Sequence, residues 1–218
     1  DDLVHIITLL RDPVNGCPWD KVQTHTSIRM NFLEEAYEAV DALDLDDPVL
    51  MCEELGDVLM QVAFHTCMEQ ETGRFTWEQV CDGVCQKLIE RHPNIFGTQP
   101  GYEGITDWDA LKNKEKGRRT LADDLESVPR AMPALMRAAK LQKRAARHGA
   151  ALQGADAAAL ADAAENLQTA QPASAQAEQA VGELLFAAAN LARQAGVDPE
   201  QALQKANEAF CTAAGPVA

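Results

Sequence analysis

An all-α fold is predicted for this 218-residue chain by three features. Apolar residues recur at helical spacing along most of it. Cap, Gly and Pro signals punctuate the segments between them. No stretch of four or more residues reads as a strand. Hydrophobic residues make up 46%, enough for a packed core, and the second half is rich in Ala, the strongest helix former.

Taken in order, Leu3 to Leu10 has helical apolar spacing and is stopped by Arg11-Asp12-Pro13. Pro-Val-Asn-Gly-Cys-Pro-Trp at 13–19 is a loop. A long helix is expected over 25–44. Asp46-Asp47-Pro48 then fits an N-terminal cap with Pro in the first turn of a helix over 48–72, ended near Gly73. Thr76 caps a further helix over 77–91, which stops before Pro93. The Gly/Pro-rich residues 97–106 read as loop, and Trp108 to Lys116 as a short helix. Residues 133–147 form a basic helix ending at Gly149. The Ala/Gln-rich stretch 150–175 is broken by Pro172 and Ser174, and helices follow over 176–195 and 199–211.

The chain carries a weak internal repeat. Glu53-Glu54-Leu55-Gly56-Asp57-Val58-Leu59-Met60 aligns with Gln179-Ala180-Val181-Gly182-Glu183-Leu184-Leu185-Phe186. A helix ending in Gly precedes each copy. The expected organisation is a unit over 1–97, a linker with a short helix over 98–132, and a degenerate second unit over 133–218. Each unit is expected to complete a four-helix-bundle type of core on dimerisation.

The first copy concentrates acids. Glu34, Glu35 and Glu38 lie on one predicted helix, Glu54 and Asp57 on the next. Residues three or four apart share a helix face, so two such helices packed antiparallel aim four or five carboxylates at one point. That arrangement is unfavourable unless a cation sits between them, and an all-oxygen ligand set suits Mg²⁺ or Mn²⁺. The alternative is a solvated acidic face. Against it, Leu33, Ala36, Tyr37, Val40 and Leu43, then Leu55, Val58, Leu59, Val62 and Ala63, border the acids with what reads as a buried stripe. Gly56, which weakens a helix by about 1 kcal/mol relative to Ala, is expected to permit close approach of a neighbouring helix or ligand. In the second copy Ala180 and Glu183 replace Glu54 and Asp57, and Asp162 to Asn166 is the best counterpart of the first acid motif.

A net charge of −15 disfavours general nucleic-acid binding, which needs clustered Lys and Arg. It leaves room for a small phosphorylated substrate carried with a metal ion. The six cysteines show neither Cys-x-x-Cys nor zinc-finger spacing, and Cys81 and Cys85 read as small apolar or partly exposed thiols. No secretory leader and no membrane-spanning apolar run is read, and a start at Asp1 rather than Met is taken as a trimmed beginning. The expected compartment is the reducing cytoplasm.

Five stretches in order resemble the MazG family. They are Arg11-Asp12-Pro13; Gly16-Cys17-Pro18-Trp19-Asp20-Lys21-x-Gln23-Thr24; Leu33-Glu34-Glu35-Ala36-Tyr37-Glu38; Glu53-Glu54-Leu55-Gly56-Asp57; and Arg91-His92-Pro93-x-x-Phe96-Gly97. Ala134 to Ala138 and Lys205-Ala206-Asn207-Glu208 are similar to that family's second half. The resemblance implies an all-α, house-cleaning nucleoside triphosphate pyrophosphohydrolase. Such enzymes release a monophosphate and pyrophosphate, bind Mg²⁺ through the two acid motifs and work as homodimers. With most second-half acids gone, Lys205, Asn207 and Glu208 read as remnants of a nucleotide-contacting motif.

On this reading Glu35, Glu38, Glu54 and Asp57 are metal ligands. Glu34 orients or deprotonates the attacking water, with service as a fifth ligand as its other role. Lys21, Lys87, Arg91 and His92 supply positive charge to phosphates; for the last three the alternative is a cationic helix end favoured by the helix dipole. Trp19 either stacks on a base or plugs the core. His5, His25, His65 and His148 have no evident partner. A ferritin-like di-metal protein is disfavoured, because no His has Glu three residues before it. Val49 and Leu50 stand where a Nudix helix wants Arg and Glu, and no P-loop occurs. The rival from another class is a catalytically inactive nucleotide-binding or regulatory protein on the same scaffold.

Overall fold

The computed structural model describes residues 2–97 and 108–215, and these are helical with no strand. Contacts divide the chain into two units, Asp1–Ile105 and Thr106–Ala218. Unit 1 contains α1 (Asp2–Leu10), α2 (Arg29–Leu45), α3 (Pro48–Glu71) and α4 (Trp77–Arg91). Unit 2 contains α5 (Trp108–Glu115), α6 (Leu121–Glu126), α7 (Ala134–Arg147), α8 (Ala157–Thr169), α9 (Ala175–Gln194) and α10 (Pro199–Ala214).

The spine of unit 1 is the α2–α3 hairpin. Asp46 ends α2 in the left-handed region, at φ 54°. Asp47 then caps α3, its Oδ1 accepting from the backbone N–H of Val49 at 2.9 Å and Leu50 at 3.2 Å. Pro48 at the first helical position loses nothing, since that N–H has no helical partner. A two-residue connection folds α3 back along α2. Thr76 and Gln79 form a reciprocal capping box that starts α4.

The core of unit 1 joins Ile7 of α1 and Ile28 to Ala63, Phe64, Cys67 and Met68 of α3, with Leu3, Val4, Met60 and Trp77 at its edge. Arg11 ties the following loop to this core. Its guanidinium holds Glu71 with two bonds, 2.5 and 2.8 Å, and donates from Nη1 to the carbonyls of Asp20 and Gln23. It also lies 5.2 Å over the Phe64 ring. The loop closes tightly at Gly16, where a Cβ would meet the Asp12 carbonyl oxygen at 2.4 Å. The Asp12 carboxylate accepts from the N–H groups of Asn15 and Val14, which holds its pKa below the usual value.

Several expectations are corrected. The helix predicted from residue 25 begins at Arg29, because Thr24 and Ser27 hydrogen-bond each other's backbone in a side-chain-stabilised turn. The stripe beside the acids is buried only in part: Ala63 is in the core, Leu33, Ala36, Val58 and Val62 are half-buried, and Tyr37, Val40, Leu43, Leu55 and Leu59 are each about half exposed. Small Ala39 and Ala42 face α3 instead, so α2 and α3 approach on their alanines. Gly56 is exposed, with nothing within 4 Å of the position its Cβ would take. His25 and His65 have partners. Their rings stack with centroids 5.0 Å apart and their Nδ1 atoms lie 2.7 Å apart. His25 Nε2 lies 2.6 Å from Glu69 Oε1, and Glu69 also meets Arg74 at 2.6 Å. The Glu69 carboxylate can only accept, so neutral His25 carries its proton on Nε2 and presents a bare Nδ1. His65 must then donate from its own Nδ1.

Unit 2 packs α8 against α9, in chain order the counterparts of α2 and α3, on buried Ala163, Ala180, Ala187 and Ala189. Gln142 of α7 donates to the Phe186 carbonyl at 2.7 Å, and Asn190 of α9 to that of Ala155 at 2.6 Å. Asp124, 1% exposed, binds Arg144 at 3.1 Å, Arg147 at 3.4 Å and His148 at 3.2 Å. His148 therefore also has a partner. Helix α6 lies in the stretch expected as linker and packs on α7. Its start is a capping box of Thr120 and Asp123. Helix α8 begins at an Asp156 cap within the Ala/Gln-rich stretch. The loop expected over 97–106 lies, from residue 98, outside the described residues.

Burial, and then the neighbouring His25, lower the pKa of His65 below the ordinary 6.5. Between that lowered value and 6.5 the unfolded chain binds the proton and the folded chain does not, so stability rises with pH across this window. Chemical denaturation of His65→Leu between about pH 5 and 7 is expected to show a shallower rise than the parent. An unchanged slope would rule out His65 as its source.

Candidate metal centre

The hairpin sets the acids opposite each other by simple counting. Glu38 stands eight residues before Asp46, and Glu54 seven after Asp47; Glu35 and Asp57 pair in the same way one turn further on. With equal rise on both helices, the counts differ by one residue, so each pair stands within about 1.5 Å of the same level. Oxygen atoms of Glu35, Glu38 and Glu54 accordingly all lie within 4.8 Å of one another. Among the described residues this is the one group of three or more such side chains close enough to share an ion.

The electrostatics match that convergence. Burial raises the pKa of Glu35, the charges of Asp57 and Glu38 raise it further, and a hydrogen bond from Gln61 opposes them. Glu54 is raised by burial and by the charges of Asp57, Glu53 and Glu35. Asp57 is half-buried, and its field acts on both. Carboxylates held this close without a counter-charge resist ionisation, and a divalent cation removes that penalty. The donor set is hard oxygen with no thiolate or imidazole, which fits Mg²⁺ or Mn²⁺.

Gln61 joins the site without any mark in the sequence pattern. It is 7% exposed, and its Nε2 donates to Glu35 Oε1 at 3.3 Å. Residues 54, 57 and 61 fall on one face of α3. A lone buried Gln, however, has no pattern that separates a second-layer partner from an ordinary core amide.

Asp57 and Glu34 fall outside the group of three converging acids. Glu34 is exposed on α2. Trp19 is 55% exposed, so it does not plug the core; its carbonyl accepts from Gln23 Nε2 at 2.9 Å. Lys21 lies half-buried in the 3-10 turn Asp20–Val22, and its charge helps hold down the pKa of Asp12. Lys87 is exposed on α4. Arg91 and His92 are half-buried at its C-terminal end, with His92 Nδ1 2.7 Å from the Leu88 carbonyl oxygen. In unit 2, Asp162, Asn166 and Glu183 line a cavity of about 700 Å³. Lys205, Asn207 and Glu208 are exposed on α10.

Residues 23–96 match the MazG nucleotide pyrophosphohydrolase domain, which spans both acid motifs. A nucleoside triphosphate pyrophosphohydrolase of Escherichia coli K12 is 41% identical over 96% of this chain and 83% of its own length. A nucleoside triphosphate pyrophosphohydrolase/pyrophosphatase MazG of Thermotoga maritima is 39% identical over 96% of this chain and 82% of its own. A nucleoside triphosphate pyrophosphohydrolase of Mycobacterium tuberculosis is 35% identical over 67% of this chain and 46% of its own. With its acid hairpin inside the matched domain and this likeness running nearly end to end, the chain belongs to the MazG family.

Proposed function

We propose that this chain hydrolyses nucleoside triphosphates between the α- and β-phosphates, yielding a nucleoside monophosphate and pyrophosphate. The observation that carries this reading is the convergence of Glu35, Glu38 and Glu54 within 4.8 Å across the α2–α3 hairpin. The relatives' names point the same way. Glu35, Glu38, Glu54 and Asp57 hold Mg²⁺, with Mn²⁺ as a substitute. When bound, the ion supplies charge neutralisation for the phosphates and for the departing pyrophosphate.

The protein's own groups do the rest. Glu34 projects from the same helix one turn before Glu38 and is exposed to solvent, so it orients the water and takes its proton. As water attacks the α-phosphorus in line, the bond to the bridging oxygen breaks and its electron pair leaves with pyrophosphate. Gln61 holds Glu35 in place and favours its ionised form. Lys21, Lys87, Arg91 and His92 contact phosphates, and the exposed Trp19 stacks on the base. The half-exposed Tyr37, Val40, Leu43, Leu55 and Leu59 flank the acid hairpin and form the contact of a homodimer. Six free thiols fit a reducing cytoplasm. No described helix is long and apolar enough to cross a membrane.

Incubation with several NTPs and Mg²⁺, assayed for pyrophosphate and orthophosphate, tests the activity. Pyrophosphate is expected. Orthophosphate would refute the reaction, and an absence of turnover would favour a non-catalytic nucleotide binder. Glu38→Ala is expected to abolish turnover with unchanged helicity by circular dichroism; full activity would reduce the acids to surface charge. In thermal melts, Mg²⁺ should raise the midpoint of the parent chain and leave that of Glu38→Ala unmoved. An equal shift in both would place the ion elsewhere. Gln61→Leu is expected to weaken Mg²⁺ binding by about 10- to 100-fold, the range for loss of a ligand's supporting hydrogen bond; parental affinity would remove Gln61 from the site.

A further inference from the structure

Unit 2 holds a basic cavity that the hydrolytic reading does not use. It measures about 500 Å³ and lies between α7, the end of α9 and the start of α10. Lys140, Lys143, Arg144 and Arg193 line it, with Met136 and Val197 among its apolar walls. In a chain of net charge −15, α7 carries five cations and no acid over fourteen residues. Positions 140, 143 and 144 share one face of that helix. This cavity is separate from the one lined by Asp162, Asn166 and Glu183.

The four cations are not equivalent. Arg144 is 7% exposed and its guanidinium is already held by Asp124. Its Nη1 meets Asp124 Oδ1 at 3.1 Å and donates to the Asp124 carbonyl at 2.5 Å and to Ser127 Oγ. It forms a fixed, partnered part of the wall. Lys140 and Lys143 are exposed and make no ion pair among the described residues. Arg193 donates from Nε to the neutral Asn190 Oδ1 at 2.9 Å. The one acid in the wall, Asp198, caps α10 through Oδ1, accepting from Glu200 N at 2.9 Å and Gln201 N at 3.1 Å. Lys140, Lys143 and Arg193 therefore line a small-molecule-sized space against this single carboxylate, and the wall keeps a net positive charge. A ligand with several phosphoryl charges balances them; a thioether and aliphatic wall suits a flat apolar body.

We propose that this cavity binds a nucleotide without a metal ion, its phosphates on Lys140, Lys143 and Arg193 and its base against Met136 and Val197. The site is independent of the acid hairpin, so its test can succeed or fail separately from the hydrolysis. Calorimetric titration of the full chain with ADP in EDTA is expected to show one saturable site per chain. Lys140→Ala/Lys143→Ala should weaken ADP by about tenfold or more, as expected when two charge-assisted contacts are lost. Both lysines are exposed, so the melting midpoint should hold; Arg193→Ala provides a second variant. Glu38→Ala should bind ADP as the parent does. The proposal is overturned by absence of saturable binding in EDTA, by parental affinity in the lysine and arginine variants, or by loss of binding in Glu38→Ala. Adenosine binding as tightly as ADP would refute phosphate recognition, and pyrophosphate matching ADP would refute the role of the apolar wall.

Discussion

The two-residue connection between α2 and α3 is the constraint on which the acid site depends. Asp46 adopts a left-handed conformation, uncommon for a residue with a side chain, and Asp47 immediately nucleates the next helix. With no slack between the helices, the level of every residue on α3 against α2 is set by its distance from the turn. Glu35 and Glu38 come within 4.8 Å of Glu54, and the charge of Asp57 acts on both Glu35 and Glu54. An inserted residue would rotate and shift α3 relative to α2 and scatter the acids. The turn thus stores the site's geometry, while the site's charge works against the hairpin until a cation arrives.

The rest of unit 1 steadies α3 beyond that repulsion. Its far half is the most buried stretch of the unit: Ala63, Phe64, Cys67 and Met68 pack against α1 and Ile28. Arg11 on Glu71, and His25 on Glu69 and His65, fasten the intervening loop to the same half. Helix α3 is therefore divided along its length. Carboxylates and exposed apolar residues occupy the end near the turn, and core and ion-paired anchors the other. Gln61 sits at the junction, buried like the core and bonded to a site acid. In unit 2, helices α8 and α9 pack on alanines, and cations gather on α7.

Much of this was legible in the order of residues. Caps and breakers are local chemistry: Asp47-Pro48, Thr76 with Gln79, and Asp198-Pro199 mark helix starts because their side chains or rings act on the nearest N–H groups. The acids were legible because spacing of three and four translates directly into a shared face. Partnerships between distant residues were not. His25 and His65 are forty positions apart, and Asp124 and His148 twenty-four. Neither pair leaves a periodic trace. The exposure of Tyr37, Val40 and Leu43 leaves no trace in the sequence, because periodicity reports which residues share a face and not what covers that face. Here Ala39 and Ala42 take the interior, and Tyr37, Val40 and Leu43 stay at the surface.

By itself, then, the sequence determined that the chain is helical, where most helices begin, and which acids share a face. These follow from interactions within about one helical turn. Only tertiary structure decided that Glu35, Glu38 and Glu54 meet, that Gln61 braces one of them, that Trp19 is exposed rather than core, and that Lys140, Lys143 and Arg193 surround one cavity. Those are distances between separate elements, set by turn length and by which side chains are small enough to let two helices close.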